Sequence, residues 1–278
     1  MENQQTFSGG WSSSFPIFLF GSGRSGTTLL QKVLNSADDV MIWGEHGGFL
    51  KQVAAAYYFN LTDKEIEQQI LKQNPVAQDP NLDFNRLKIN KIGYSWMNWY
   101  SREEIDENFR RFIASFFNPV EMTKTHWGFK EIRYGIEDRV MEMLADLYRE
   151  ARFVFIVRNP LDVVASQVVM GWSGTAKHLA KDWAVQNQQI IDFCRVHEDR
   201  VHVVRFEELA SRESNAIPNL FEWLGYPATE KQYEILDIQE GIWKKTRKDG
   251  RAHSEMFSRW ERGRILKAVK AQKRALGY

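Results

Sequence analysis

Short apolar runs, each closed by glycine, asparagine or charged residues, alternate with segments of helical period along most of this chain. The first run, Phe15-Pro16-Ile17-Phe18-Leu19-Phe20, is continuous rather than alternating, as in a strand covered on both faces. It passes through a glycine-rich turn into Leu29-Leu30-Gln31-Lys32-Val33-Leu34, which has helical spacing. Asp39-Val40-Met41-Ile42-Trp43 reads as a second strand and ends in Gly44-Glu45-His46-Gly47-Gly48. From Phe49 to about Phe117 the pattern is largely helical, broken at Asn74-Pro75 and Asp79-Pro80, and Ser101-Arg102-Glu103-Glu104 has the form of a capping box. His126 to Glu131 reads as a short strand, and the spacing predicts a helix over 136–148.

Arg152-Phe153-Val154-Phe155-Ile156-Val157 is another continuous buried run, and Pro160 is placed to open the helix that continues over Leu161 to Met170. A long helix over Ala176 to Cys194, a strand at Val201-His202-Val203-Val204 and the segment Phe206-Glu207-Glu208-Leu209 follow. Strands alternating with helices predict an α/β fold, a parallel β-sheet flanked by helices. Without a repeat or a mid-chain linker, residues 15–278 read as one domain behind a polar lead-in at 1–14, with 49–117 as a helical insertion or lid.

Composition narrows the function classes. Hydrophobic residues at 43%, with 10 Trp and 18 Phe, are ample for a large core, and 26% charged residues are ordinary for a protein in water. A net charge of +1 gives no global field for nucleic acid or anionic membrane, so any anion site must be local and a small-molecule partner is expected. The apolar runs are too short to span a bilayer and Met1-Glu2-Asn3-Gln4-Gln5 lacks the basic start of a signal peptide, so a cytoplasmic location is the expectation. Cys194, the single cysteine, follows Ile190-Ile191-Asp192-Phe193 and reads as inert core.

The candidate chemistry begins at Gly21-Ser22-Gly23-Arg24-Ser25-Gly26-Thr27-Thr28, between the first strand and its helix. Glycines allow the tight turn, and the N–H groups of the helix start favour an anion in the loop. The outer glycines, Gly21 and Gly26, have the spacing of a P-loop, but Thr27 stands where a nucleoside triphosphatase carries lysine. Arg24 instead offers a planar fork suited to one oxyanion. Glu45, Lys130 and Arg158 also lie at or just after the carboxyl ends of strands, where ligands of such sheets gather.

With Val157-Arg158-Asn159-Pro160-Leu161-Asp162-Val163-Val164-Ala165-Ser166 in view, the chain resembles the sulfotransferases that use 3′-phosphoadenosine 5′-phosphosulfate (PAPS), which share a P-loop-like fold. The family places an arginine and a serine at the spacing of Arg158 and Ser166 on the nucleotide 3′-phosphate. A weaker match runs through Val203-Val204-Arg205-Phe206-Glu207-Glu208-Leu209 to Glu222-Trp223-Leu224-Gly225-Tyr226-Pro227. The resemblance covers residues 15–227 and implies PAPS as donor, leaving 3′-phosphoadenosine 5′-phosphate, with no metal. It implies that Gly23, Arg24, Ser25, Gly26, Thr27 and Thr28 hold the 5′-phosphosulfate. Two departures stand out: Phe206 replaces a common tyrosine, and Thr246-Arg247-Lys248-Asp249-Gly250 carries an inserted Asp249 where many members read Arg-Lys-Gly, leaving Arg247 and Lys248 as candidates for the 3′-phosphate.

The resemblance to bacterial and tyrosylprotein-type members implies Lys130 as the lysine at the leaving oxygen, against a strand lysine paired with Glu131. It ranks Glu45 first as base, then His46, then His126. Trp43, Trp96, Trp99, Trp172, Trp183 and Trp260 read as core rather than as adenine platforms, while Tyr57, Tyr58, Phe59, Trp96, Trp99 and Tyr100 offer aromatic surface to an acceptor. Two rivals stay open, a P-loop kinase of small molecules and a nucleotide-binding module without catalysis.

Overall fold

The computed structural model describes residues 14–61, 100–246 and 253–278, with side chains except at 239–246 and 253–254. In chain order the elements are β1 (Pro16–Gly21), α1 (Thr27–Asn35), β2 (Val40–Trp43), α2 (Leu50–Phe59), α3 (Arg102–Phe117), β3 (His126–Glu131), α4 (Val140–Leu147), β4 (Arg152–Val157), α5 (Pro160–Val169) and α6 (Ala176–Val196). Then come β5 (Val201–Arg205), α7 (Phe206–Leu209), α8 (Ala216–Leu224), α9 (Glu230–Thr246), α10 (Arg259–Ala268) and α11 (Lys270–Ala275). Two compact units result: the described residues of Phe49–Val120 with Asp138–Arg149 form one, and the sheet with the remaining helices forms the other.

The sheet has five parallel strands in the order β2-β3-β1-β4-β5. Its central strand explains why a continuous apolar run was needed: both faces of β1 are covered. Ile17 and Leu19 pack with Leu29, Leu30 and Val33 of α1, Leu220 and Phe221 of α8, and Val154 and Ile156 of β4. Phe18 and Phe20 face the other way, into an aromatic layer with Phe129, Phe153 and Phe155, which Phe193 of α6 closes at 4.8 Å from Phe153. Helices after β1 and β4 therefore lie on opposite faces, which opens a crevice between the carboxyl ends of these two strands. Gly21 pairs with Ile156 and Phe20 with Glu131, so the turns that follow β1, β3 and β4 start at one level.

Gly128 sits where β3 meets β1. A Cβ at this position would lie 1.7 Å from the Ile17 carbonyl oxygen, so the two backbones approach too closely for any side chain. Gly128→Ala is expected to lower stability by roughly 1–3 kcal/mol, as overpacking does elsewhere, read as an earlier urea midpoint; an unchanged midpoint would show that the strands part at no cost.

In the helical unit, the capping box at Ser101 is realised: its hydroxyl accepts from Glu104 N–H at 3.2 Å, and the Glu104 carboxylate accepts from Ser101 N–H at 2.8 Å. Tyr57 is core rather than acceptor surface; its hydroxyl donates to Asp106 at 2.9 Å and accepts from Arg102 at 2.6 Å, whereas Phe59 and Tyr100 are exposed. The expected helix over 136–148 is shorter. A 3-10 turn at Ile136–Asp138 ends at Arg139, whose φ of 50° breaks the path, and its guanidinium lies 3.6 Å over the Tyr58 ring.

Candidate active site

The loop after β1 turns back on itself through Ser25 N–H to the Ser22 carbonyl at 3.1 Å, with the two serine hydroxyls 2.5 Å apart. Gly26 caps α1 with a φ of 99°, a conformation that only glycine adopts readily, and supplies no side chain to the cap. The N–H groups of the first helical turn are thereby left to whatever enters the loop. Arg24 also has a positive φ, 74°, and its side chain is exposed. Two aromatics line the loop: a Cβ on Gly23 would lie 2.2 Å from the Trp172 ring and one on Gly26 2.3 Å from Phe206. Trp172, expected in the core, is 40% exposed; Trp43 and Trp260 also stand in solvent, whereas Trp183 is buried as expected.

Helix α5 opens as its sequence requires, with Pro160 at its first turn and the Asn159 side chain accepting from Leu161 N–H at 3.0 Å. This places Arg158 just ahead of the helix and Ser166 two turns in, both facing the loop after β1. Arg158 donates to the Arg24 carbonyl at 3.1 Å, Arg24 Nε donates to Ser166 Oγ at 3.1 Å, and Gln167 Nε2 donates to the Gly23 carbonyl at 3.1 Å. The Arg158 guanidinium lies 4.2 Å over the Phe206 ring, so the residue that lacks a tyrosine hydroxyl instead gives a cation a π-face.

On the other side of β1, β2 and β3 deliver Glu45 and Lys130. Lys130 is 5% exposed, and its ammonium donates to Glu45 at 2.6 Å and to Thr28 Oγ1 at 3.4 Å. Pairing with Glu131 does not occur, because neighbouring strand residues point to opposite faces. Glu131, 1% exposed, instead accepts from the N–H groups of His46 at 3.2 Å, Gly48 at 3.0 Å and Ile132 at 2.8 Å, and from Arg133 at 2.8 Å. Burial pushes its carboxyl up, but the Ile132 N–H and the Arg133 and His46 charges outweigh that and hold it below the usual carboxylate range. Arg133 also reaches Glu45 at 2.9 Å, so Glu45 lies between two cations.

His46 hydrogen-bonds the Tyr134 hydroxyl at 2.9 Å, and burial holds its imidazole below its ordinary range against the opposing pull of Glu131. His126 is not brought here. It opens β3, its ring 3.8 Å from that of Phe15 and its Nδ1 3.1 Å from the Phe15 carbonyl. Four residues of strand put it roughly 13 Å from Lys130. Arg247, Lys248, Trp96 and Trp99 lie outside the described residues. Cys194 is half-buried, and burial pushes its thiol up to about 11, away from thiolate chemistry.

Sequence reasoning missed Arg133, Glu131, Gln167 and the placement of Trp172. Arg133 carried one usable signal: a second cation three residues after Lys130, just past the end of β3.

Two arginine-bearing turns, after β1 and after β4, thus flank the crevice, and a buried lysine joins the first of them to a carboxylate. Comparison with known proteins points the same way. The profile of the sulfotransferase family matches residues 16–230. Among solved structures, the chain is similar to the sulfotransferase domain of the curacin biosynthetic pathway, at 18% identity and a TM-score of 0.53, over 96% of this chain and 99% of that one. It is similar to the sulfotransferase domain of the Synechococcus PCC 7002 olefin synthase, at 15% identity and 0.52, over 96% and 89%. A mouse sulfotransferase solved with PAP matches at 10% identity and 0.53, over 94% and 85%. No curated protein matches the chain by sequence.

Proposed function

The chain belongs to the sulfotransferase family, and from that premise we propose that it transfers a sulfuryl group from PAPS to a hydroxyl or amine of a small molecule, with Glu45 as base. The position of Lys130 carries this reading. Its ammonium lies between Thr28 of the anion loop and the Glu45 carboxylate, where leaving oxygen and attacking group would meet. Two separated anion sites, one on the turn after β1 and one on the turn after β4, fit a nucleotide charged at both ends.

Arg24, with the N–H groups and hydroxyls of Ser25, Gly26, Thr27 and Thr28, would hold the 5′-phosphosulfate, and Arg158 with Ser166 the 3′-phosphate. Sulfuryl transfer resembles phosphoryl transfer in leaving little covalent work to the protein, so placement and charge dominate. Glu45 takes the proton of the attacking group as its oxygen or nitrogen bonds to sulfur. The bond from sulfur to the bridging oxygen breaks, and Lys130 stabilises the charge left there. Protonation of Glu45 weakens its hold on Lys130 as that charge grows, while Arg133 keeps Glu131 as partner. His46 serves through its backbone, which fastens the Glu45 loop to Glu131.

The donor assignment is tested by thermal unfolding. 3′,5′-Adenosine bisphosphate at about 100 times its Kd should add roughly 2.7 kcal/mol of stability, while ATP with magnesium should add none. Stabilisation by ATP and magnesium alone would turn the reading to a kinase.

Among the described residues, no helix is long and apolar enough to cross a membrane.

A further inference from the structure

We infer that Tyr278 is a positioning residue for the 3′-phosphate site, its hydroxyl holding the Glu207 carboxylate that fixes the turn bearing Arg158; this rests on the PAPS reading above. The sequence Leu276-Gly277-Tyr278 ends α11 in a Schellman turn. Gly277 takes a φ of 74°, its N–H donates to the Arg274 carbonyl at 3.1 Å, and Tyr278 N–H donates to the Lys273 carbonyl at 2.9 Å. The turn delivers two groups to Arg205, the last residue of β5. The Leu276 carbonyl accepts from the guanidinium at 2.8 Å, and the guanidinium lies 5.3 Å from the centre of the Tyr278 ring. A Cβ on Gly277 would lie 2.0 Å from the same guanidinium, so the turn is seated closely against it.

From this seat the Tyr278 hydroxyl reaches Glu207, two residues past Arg205, and donates to its Oε2 at 2.7 Å. The other carboxylate oxygen, Oε1, accepts from Asn159 N–H at 2.8 Å. That N–H belongs to the peptide joining Arg158 to the N-cap of α5. Phe206, the residue before Glu207, carries the Arg158 guanidinium over its ring at 4.2 Å. Arg158 is thus held at both ends, its backbone through Glu207 and its side chain through Phe206. A carboxylate with one bonded oxygen can still swing about its last torsion, whereas a donor on each oxygen fixes it. The hydroxyl also sets a positive hydrogen against a negative charge that lies beside the backbone of Arg158. Without it, the freed oxygen becomes a rival partner for the guanidinium and a repulsive neighbour for an incoming anion. Burial and the Glu207 carboxylate push the phenol well above its ordinary range, so the hydroxyl remains a donor at neutral pH.

Tyr278→Phe removes the hydroxyl and keeps the ring on Arg205. Calorimetric titration of the full chain should show 3′,5′-adenosine bisphosphate weakened roughly fivefold, the range of one hydrogen bond, with adenosine 5′-monophosphate bound as by wild type. In turnover with the best acceptor of a panel, KM for PAPS should rise by the same factor while kcat holds, as for lost uniform binding. Glu207→Gln keeps an oxygen for Asn159 N–H but turns an amide NH2 toward the hydroxyl, so it should weaken the bisphosphate to a similar degree. In that background Tyr278→Phe should have no further effect. An unchanged bisphosphate affinity in Tyr278→Phe would overturn the positioning role. So would equal losses for the two nucleotides, the mark of a merely structural contact. A Tyr278→Phe effect that persists in the Glu207→Gln background would overturn it too, since the hydroxyl would then act elsewhere. Each of these results leaves the donor reading standing if wild-type protein binds the bisphosphate; wild type that binds none overturns the donor reading and the role of Tyr278 with it.

Discussion

Glu45→Gln is expected to lower turnover by roughly 10²- to 10⁴-fold while 3′,5′-adenosine bisphosphate binds within a few-fold of wild type. The substitution keeps shape and removes the group that accepts the proton. It also places an amide where a carboxylate now meets the Lys130 ammonium at 2.6 Å and Arg133 at 2.9 Å, and one amide oxygen cannot accept from both as well as two charged oxygens do. Lys130 is thereby loosened toward the anion loop, so product affinity should hold or rise while chemistry slows. Release of bisphosphate in single turnovers, with the acceptor that serves wild type best from a panel of alcohols, phenols and amines, separates the two effects. Turnover equal to wild type would remove Glu45 from proton transfer and pass that role to His46 or to solvent.

Arg158→Ala should weaken 3′,5′-adenosine bisphosphate by roughly 10- to 100-fold, the range of a lost charge-assisted hydrogen bond. Adenosine 5′-monophosphate should lose several-fold less, through the Arg158 contact to the Arg24 carbonyl alone. The stack on Phe206 holds the guanidinium plane in place, so Arg158→Lys, which keeps the charge without the fork, should recover only part of the loss. Calorimetric titration of both nucleotides checks this. Equal losses for the two would mean that Arg158 acts on the nucleotide as a whole and that the 3′-phosphate is bound elsewhere.

Much of the scaffold was legible because buried parallel strands write themselves as unbroken apolar runs. β1 and β4 each fell within a residue of their place, and the proline-led start of α5 followed from the missing N–H of Pro160. The glycine turn before α1 and the helix start that bears Arg158 and Ser166 were legible because spacing along one turn and one helix survives without knowledge of neighbours. What joins them was not. The Arg24 to Ser166 contact spans a sequence separation of 142, and it depends on β1 and β4 lying side by side in register, which no local pattern encodes. The same holds for Arg133, which is set by the β2–β3 pairing. Lys130 and Glu131 show the opposite error: adjacency in sequence suggested a pair, yet the period of a strand sends their side chains to opposite faces. Arg139 broke a helix whose apolar period ran straight through it, because period reports burial and not backbone torsion.

The cluster of Glu45, Lys130, Arg133 and Glu131 has a consequence for encounter rather than for chemistry. Two carboxylates and two cations within hydrogen-bond reach cancel, so this half of the crevice presents no net field beyond a few ångströms. The other half carries Arg24 and Arg158 on the turns after β1 and β4. On the proposed reading, ionic strength therefore acts unevenly on the two substrates. Added salt screens the approach of a multiply charged nucleotide, whereas an uncharged acceptor arrives by diffusion unaided and at a rate that salt barely touches.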